Sequence, residues 1–237
     1  MKRALTIAGV VTGRLLVILL AFLVAYLGVT AGVRLERDKL TMPTAYVRLF
    51  DRNGNEIPAA VQADATFETL PPHVGQAFVA VEDKRFYEHH GIDTKRVFAA
   101  LWHNLTSFSF KEGASTISQQ LIKNTHLTSE KTIERKLKEF KLARTLEKHY
   151  SKEEILMLYL NSIYFGHSAF GIENAAQFYF GKHAAQLDVA ESAMLAAIVR
   201  SPNRYSPFRD AESCLNRRNL VLSLMKAQGY LDEEAYR

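Results

Sequence analysis

From Leu15 to Val33 the chain runs for 19 residues without a charge, LLVILLAFLVAYLGVTAGV. As a helix rising about 1.5 Å per residue, that run measures about 28 Å, close to the ~30 Å hydrocarbon core of a bilayer. It exceeds the roughly 7–15-residue apolar region of a cleavable signal peptide, and no clear A-x-A site closes it. An uncleaved transmembrane anchor over residues 15–33 is therefore the favoured reading, with a signal peptide as the competitor. Lys2, Arg3 and Arg14 precede the run, whereas Arg34, Glu36, Arg37, Asp38 and Lys39 follow it as a mixed cluster. The basic flank, residues 1–14, is predicted to stay in the cytoplasm, which puts the remainder against the outer face of the membrane in a single-pass topology. One cysteine, Cys214, allows no internal disulfide, and at 48% apolar residues the chain can rely on its core instead.

The net charge is +5, and between Lys131 and Lys152 eight Lys or Arg face only three Glu. Outside a membrane, such a surface suits anionic lipid or phosphate, and no nucleic acid partner is expected. Charge alone is equally compatible with a solvated helix flank.

Residues 34–70 read as a linker with a short β-hairpin, because AYVRLF and EIPAAV flank Asn53-Gly54, a pair suited to a tight turn. Beyond Pro71-Pro72 nearly everything reads as helix, so residues 71–237 form one mostly α domain. A helix over 73–86 places Val74, Ala77, Phe78 and Val81 on one face. Glu82 ends that stripe and is predicted to be partly desolvated, a setting suited to a general base. Gly91 breaks the chain and Asp93 caps a helix over Thr94 to Asn104. Thr116-x-x-Gln119 and Ser151-x-x-Glu154 are capping boxes, the second opening a helix through Ile163. An amphipathic helix is expected over 131–148, with Ile133, Leu137, Phe140 (or the stem of Lys141) and Leu146 near its buried side. Further helices follow in GIENAAQFYF, in LDVAESAMLAAIVR and over 210–236, the last interrupted at Gly229.

Several chemistries lack their signatures. No G-x-G-x-x-G follows a strand, and there is no G-x-x-x-x-G-K-[ST] or H-E-x-x-H. Ser223-Leu-Met-Lys226 matches S-x-x-K, but no S-D-N or K-T-G accompanies it, so it reads as chance. Four polar segments remain. VEDKRFYEHHGID, residues 81–93, carries Glu82, Asp83, Phe86 and His89; a metal site of Asp83, His89 and His90 has no recognised ligand spacing, and a hydrogen-bonded His is preferred. GASTISQQLIKN offers Ser115, Thr116, Gln119, Gln120, Lys123 and Asn124 around a helix start that favours an anion. In ERKLKEF, Arg135 and Glu139 share a helix face; as a surface pair they would contribute only about 0.3–0.5 kcal/mol. SKEEILMLYLNSIYFG is apolar enough to be mostly core.

In this order the segments resemble the motifs of the peptidoglycan glycosyltransferases (family 51): Glu82-Asp83…Phe86…His89…Gly91, then Gly113…Ser115-Thr116…Gln119-Gln120-Leu121…Lys123-Asn124, then Arg135-Lys136…Glu139, then Lys152…Ile155-Leu156…Tyr159-Leu160-Asn161…Tyr164-Phe165-Gly166. The later GI-x-x-AA-x-x-YFGK and P-x-x-Y-x-P are also similar, and the resemblance covers about residues 44–230. LFDRNGNEI and RRNLVLSLMKAQGY look most like the transglycosylase half of a class A penicillin-binding protein. With no transpeptidase domain before Arg237, this would be a short enzyme or a fragment.

The resemblance implies a lysozyme-like helical domain with a small membrane-facing jaw. Its activity would polymerise lipid II into β-1,4-linked glycan strands by inverting transfer from a polyprenyl-pyrophosphate donor. Glu82 matches the catalytic base and Glu139 the second catalytic glutamate. Lys123, Arg135 and Lys136 match pyrophosphate-contacting positions, while Ser115 and Gln119 match polar positions of the site. No cofactor is required, though there is room for a divalent cation such as magnesium; lipid II, the growing strand, the membrane and other cell-wall synthesis proteins are the partners it suggests. Residues 97–110, VFAALWHNLTSFSF, suit interfacial insertion or an ordinary core helix equally. A hydrolase with paired acids and an anchored glycan-binding scaffold are the alternatives; both matched glutamates and the basic trio argue against the scaffold.

Overall fold

A computed structural model of the chain describes residues 2–40, 49–50, 52, 56–57, 69–107, 115–128 and 130–236, with the backbone alone at 2–12, 15, 18–19, 49–50, 56–57 and 101–107. The Asn53-Gly54 turn and Gly113 lie outside the described residues. Leu49–Phe50 (β1) and Glu56–Ile57 (β2) pair antiparallel, with Leu49 opposite Ile57 and Phe50 opposite Glu56.

Helix α1, Lys2–Thr30, runs through most of the apolar segment and ends before Gly32, whose φ is +75°. Among the described residues, no helix is long and apolar enough to cross a membrane. The end of α1 is tied down by two hydrogen bonds. The Thr30 hydroxyl donates to the Tyr26 carbonyl at 2.7 Å, and Lys141 Nζ donates to the Thr30 carbonyl at 2.6 Å. A lysine there satisfies a terminal carbonyl and complements the negative end of the helix dipole.

The remaining helices are α2 (Pro72–Glu82), α3 (Thr94–Ser107), α4 (Ile117–His126), α5 (Ile133–His149), α6 (Lys152–Ser162), α7 (Ile172–Phe180), α8 (Val189–Val199), α9 (Ala211–Ala227) and α10 (Glu233–Tyr236). Helix α8 packs between α2 and α9 and buries Ala193, Leu195, Ala196, Ala197 and Ile198, the behaviour of a helix apolar all round. On α2, Val74, Ala77 and Phe78 are buried as predicted, and so are Val79 and Ala80. Phe78 meets Tyr159 and Phe165 edge to face, with centroids 6.4 and 6.0 Å apart, which locks α2 onto α6 and the segment after it. Helix α4 packs against both α5 and α6.

Two expectations differ from the structure. Helix α2 stops at Glu82 instead of continuing to residue 86, because Asp83 leaves the helix at φ −150°, ψ 69° and turns its carboxylate to a long-range partner. On α5 Leu146 is buried as predicted, but the rest of the buried side differs from the predicted one. Ile133 is 82% exposed, whereas Glu139, Leu142, Ala143 and Leu146 are buried. A polar network fixes that face, and apolar periodicity does not show it.

The turn after Phe86 depends on Gly91, at φ +87°. A Cβ there would stand 2.7 Å from the Ala143 carbonyl oxygen, so the turn presses directly on α5. Gly91→Ala is expected to lower stability by at least about 1–3 kcal/mol, seen as a lower urea midpoint in detergent.

Candidate active site

Asp83 is fully buried and positions two motifs at once. Its Oδ2 accepts the backbone N–H of Ile117, the first residue of α4, at 3.0 Å. The carboxylate thereby satisfies an orphan donor and sits at the positive end of that helix. His89 Nε2 hydrogen bonds the same carboxylate at 3.0 Å, which is the bonded histidine the sequence suggested. Among the described residues, no group of three His, Cys, Asp or Glu could hold a metal ion.

Helix α4 opens with the predicted capping box. The Thr116 hydroxyl accepts the Gln119 N–H and donates to the Gly91 carbonyl, and Gln119 Oε1 accepts the Thr116 N–H at 3.0 Å. With Gln119 Oε1 fixed in this way, its Nε2 is directed to Glu139 Oε1, at 3.0 Å. Gln120, about 100° further round the helix, reaches elsewhere: its Nε2 donates to Glu82 Oε2 at 2.8 Å. The adjacent amides thus hold one glutamate each. Tyr159, behind them, donates a long 3.4 Å hydrogen bond to Gln120 Oε1. Burial, reinforced by the charges of Glu82 and Asp83, holds that phenol well above its usual range, so it remains a donor.

Glu82 is 8% exposed, in keeping with the predicted desolvation, and its Oε1 has no hydrogen-bond partner among the described residues. Arg96 donates to its carbonyl at 2.9 Å. Glu139, 2% exposed, is saturated by contrast: it accepts from Gln119, from Arg135 Nη1 at 3.2 Å and from Lys136 Nζ. Lys136 also donates to Ser115 Oγ at 3.2 Å.

A cleft of about 270 Å³ opens beside these groups, lined by Glu82, Arg96, Ser115, Gln120, Lys123 and Arg200. Larger hollows beside Arg85 and Asp93 (about 310 Å³) and beside Asp188 and Tyr236 (about 760 Å³) contain neither glutamate. Phe86, His89 and Thr116 are buried and do not line the cleft, and Asn124 is exposed on α4. Sequence reasoning missed Arg96, Arg200 and the buried Glu147. The last receives the Ser118 hydroxyl, stands 3.8 Å from His89 Nδ1 and lies 2.7 Å from Lys152 Nζ, a close charge pair without hydrogen-bond angles. Lys152 also lies over the Phe86 ring, 4.4 Å from its centroid. Lys152 and Tyr159 belong to a segment read as core, and their charge and hydroxyl were the available signal. Ser223 bonds the Leu220 carbonyl and Lys226 pairs with Glu233, so the S-x-x-K match forms no nucleophile–base pair.

The sequence model of the Transglycosylase family matches residues 53–226. Penicillin-binding protein 1F of Bacillus subtilis is 43% identical over 197 residues, covering 82% of this chain and 28% of that protein. Penicillin-binding protein 1A of Aquifex aeolicus is 47% identical over 171 residues, covering 72% of this chain and 24% of that protein. A crystal structure of penicillin-binding protein 1A from Haemophilus influenzae aligns with a TM-score of 0.44 at 22% identity, over 79% of this chain and 19% of that one. The chain belongs to the transglycosylase family, the peptidoglycan glycosyltransferases whose motifs it carries. It spans less than a third of the length of these curated relatives.

Asp93 fixes the wall of the turn, accepting two guanidinium hydrogen bonds from Arg85 and the Arg96 N–H at 2.9 Å. Burial pushes its carboxyl up, but the Arg85 and Arg96 hydrogen bonds outweigh that and hold it below the usual range. A depressed carboxyl contributes stability above its unfolded value, near pH 3.9, and loses it as pH falls through the lower folded value. Asp93→Asn should therefore cost roughly 1–2 kcal/mol at pH 7, with the gap to wild type narrowing as the pH falls below about 4 in matched urea titrations.

Proposed function

We propose that the chain polymerises lipid II into β-1,4-linked glycan strands at the outer face of the inner membrane, with Glu82 as the base. One observation carries this reading: a buried carboxylate with one oxygen held by Gln120 and the other without a partner among the described residues lines a cleft with cationic walls. Glu82 Oε1 takes the proton of the acceptor sugar's 4-hydroxyl as that oxygen attacks the donor's anomeric carbon. The bond to the polyprenyl pyrophosphate breaks on the opposite side, so configuration inverts. Charge developing on the leaving group requires cations already in place, which Lys123, Arg135 and Lys136 supply. Glu139 holds Arg135 and Lys136 in their positions and carries no proton in the reaction.

That saturation of Glu139 disfavours the hydrolase alternative, which needs a second free acid. Membrane association is supported by α1, whose apolar residues Leu16, Val17, Leu20, Phe22, Val24 and Leu27 are each more than half exposed. Phe98 on α3 is 74% exposed, which favours an interfacial role for the start of 97–110. Residues 15–33 thus act as the anchor, 1–14 as the cytoplasmic tail and 71–237 as the catalytic domain.

The test is incubation of the detergent-solubilised chain with labelled lipid II, with products resolved by length. Wild type should yield a ladder, and Glu82→Gln should slow its formation by about 10²–10⁴-fold with unchanged circular dichroism. A ladder of undiminished rate from Glu82→Gln would remove the base assignment, and intact lipid II with folded wild type would remove the polymerase reading.

A further inference from the structure

Away from the Glu82 cleft, the hollow of about 310 Å³ at the start of α3 carries charge that the proposed reaction does not use. Arg85, His90, Lys95 and Arg144 line it together with two acids, Glu88 and Asp93. Arg85 is committed to Asp93, which leaves Glu88 as the remaining acid. Lys95 and Arg144 are exposed, and neither has a hydrogen-bond or ion-pair partner among the described residues. They come from different helices, α3 and α5, brought together by the Gly91 turn: a Cβ on Gly91 would stand 2.9 Å from the Arg144 backbone nitrogen. Thr94, the first residue of α3, also lines the hollow, so the positive end of that helix dipole adds to the two cations.

The surroundings of the hollow decide which anion it meets. Arg144 stands three residues after Lys141, which holds the last carbonyl of α1, a rise of about 4.5 Å along α5. By their spacing, Lys141, Arg144 and Lys148 share one face of that helix. On α3, Phe98 lies one turn beyond Lys95 and is 74% exposed. Cations flanked by an exposed aromatic ring and by the end of an apolar helix match a lipid, whose headgroup enters the hollow while its chains pass Phe98. From this geometry we infer that the hollow binds the phosphate of an anionic phospholipid, with Lys95 and Arg144 as the gripping groups. The lipid is a neighbour in the outer leaflet and not the substrate, because the hollow contains neither Glu82 nor Glu139. No bond is made or broken; the headgroup fixes the corner between α3 and α5 at the height where the anchor ends. The inference rests on the proposed membrane attachment of α1 and can fail separately from it.

The test titrates soluble dihexanoyl phosphatidylglycerol by calorimetry into the full chain in a non-ionic detergent. Wild type should bind it saturably, and Lys95→Gln and Arg144→Gln should each weaken binding about fivefold, the share of one cation beside an anionic headgroup. Glu88→Gln should tighten binding, because it removes the remaining acid, and a merely structural role would not produce that gain. Arg209→Gln, at an exposed arginine outside the hollow, should match wild type. Two further probes identify the source of the phosphate: dihexanoyl phosphatidylcholine and glycerol phosphate should each bind far more weakly. Equal affinity for phosphatidylcholine would overturn headgroup recognition, and equal affinity for glycerol phosphate would make this a free-phosphate site. Unchanged affinity in both Lys95→Gln and Arg144→Gln would put the lipid elsewhere. Flotation of the same chains with phosphatidylcholine vesicles reads the anchor alone, and all of them should float. A wild type that stays behind would remove the anchor, while the titration, which needs neither vesicles nor polymerase activity, would still decide on the hollow.

Discussion

The architecture of the site hangs on a single buried carboxylate. Asp83 has no exposure, and an unpaired ion at that depth would be costly. It is tolerated because it receives the first N–H of α4 and the Nε2 of His89. Those bonds decide where α2 ends, because the backbone must turn at Asp83 to bring the carboxylate to α4. They also fix where α4 begins relative to Glu82. Without them Gln120 would have no reason to meet Glu82 at 2.8 Å, and the proposed base would sit at the tip of a fraying helix. Glu147 has a similar role in the layer beneath, joining His89, Ser118 and Lys152.

Two neighbouring amides then divide two glutamates. Each glutamine has its own Oε1 partner, the Thr116 N–H for Gln119 and the Tyr159 hydroxyl for Gln120, so each amide is oriented before it meets a carboxylate. The glutamates differ because of what else surrounds them. Glu139 lies between two cations from its own helix and is spent on holding them. Among the described residues Glu82 meets a single amide, which leaves its other oxygen without a partner at the cleft. The same residue type takes two settings through its neighbours, which is how one site can hold both the proposed base and a fixed pair of cations.

Local signals in the sequence were read well. The two capping boxes, the Asp93 cap, the break at Gly91 and the sequence of helices all depend on residues within four positions of one another. What escaped depends on contacts across the fold. The early end of α2 is set by Ile117, 34 residues away, and the rotated face of α5 is set by the bonds of Glu139, which no apolar count records. Glu82, Gln120 and Lys123, which the motifs name, line one cleft. Arg200 lies outside every motif, and only the packing of α8 on α2 brings it there.

Helix α5 also links the proposed anchor to the site. Lys141 holds the last carbonyl of α1, and Glu139 stands two residues earlier, a rise of about 3 Å along the same helix. Arg135 and Lys136 lie one turn further on. An anchor crossing the bilayer would thus set the height of the cationic wall through one rigid helix, with no flexible segment between them. For the proposed reaction, whose substrates would themselves be held at the membrane surface, that stiffness would matter more than affinity. A wall displaced by the width of one phosphate would miss the leaving group even with every side chain intact.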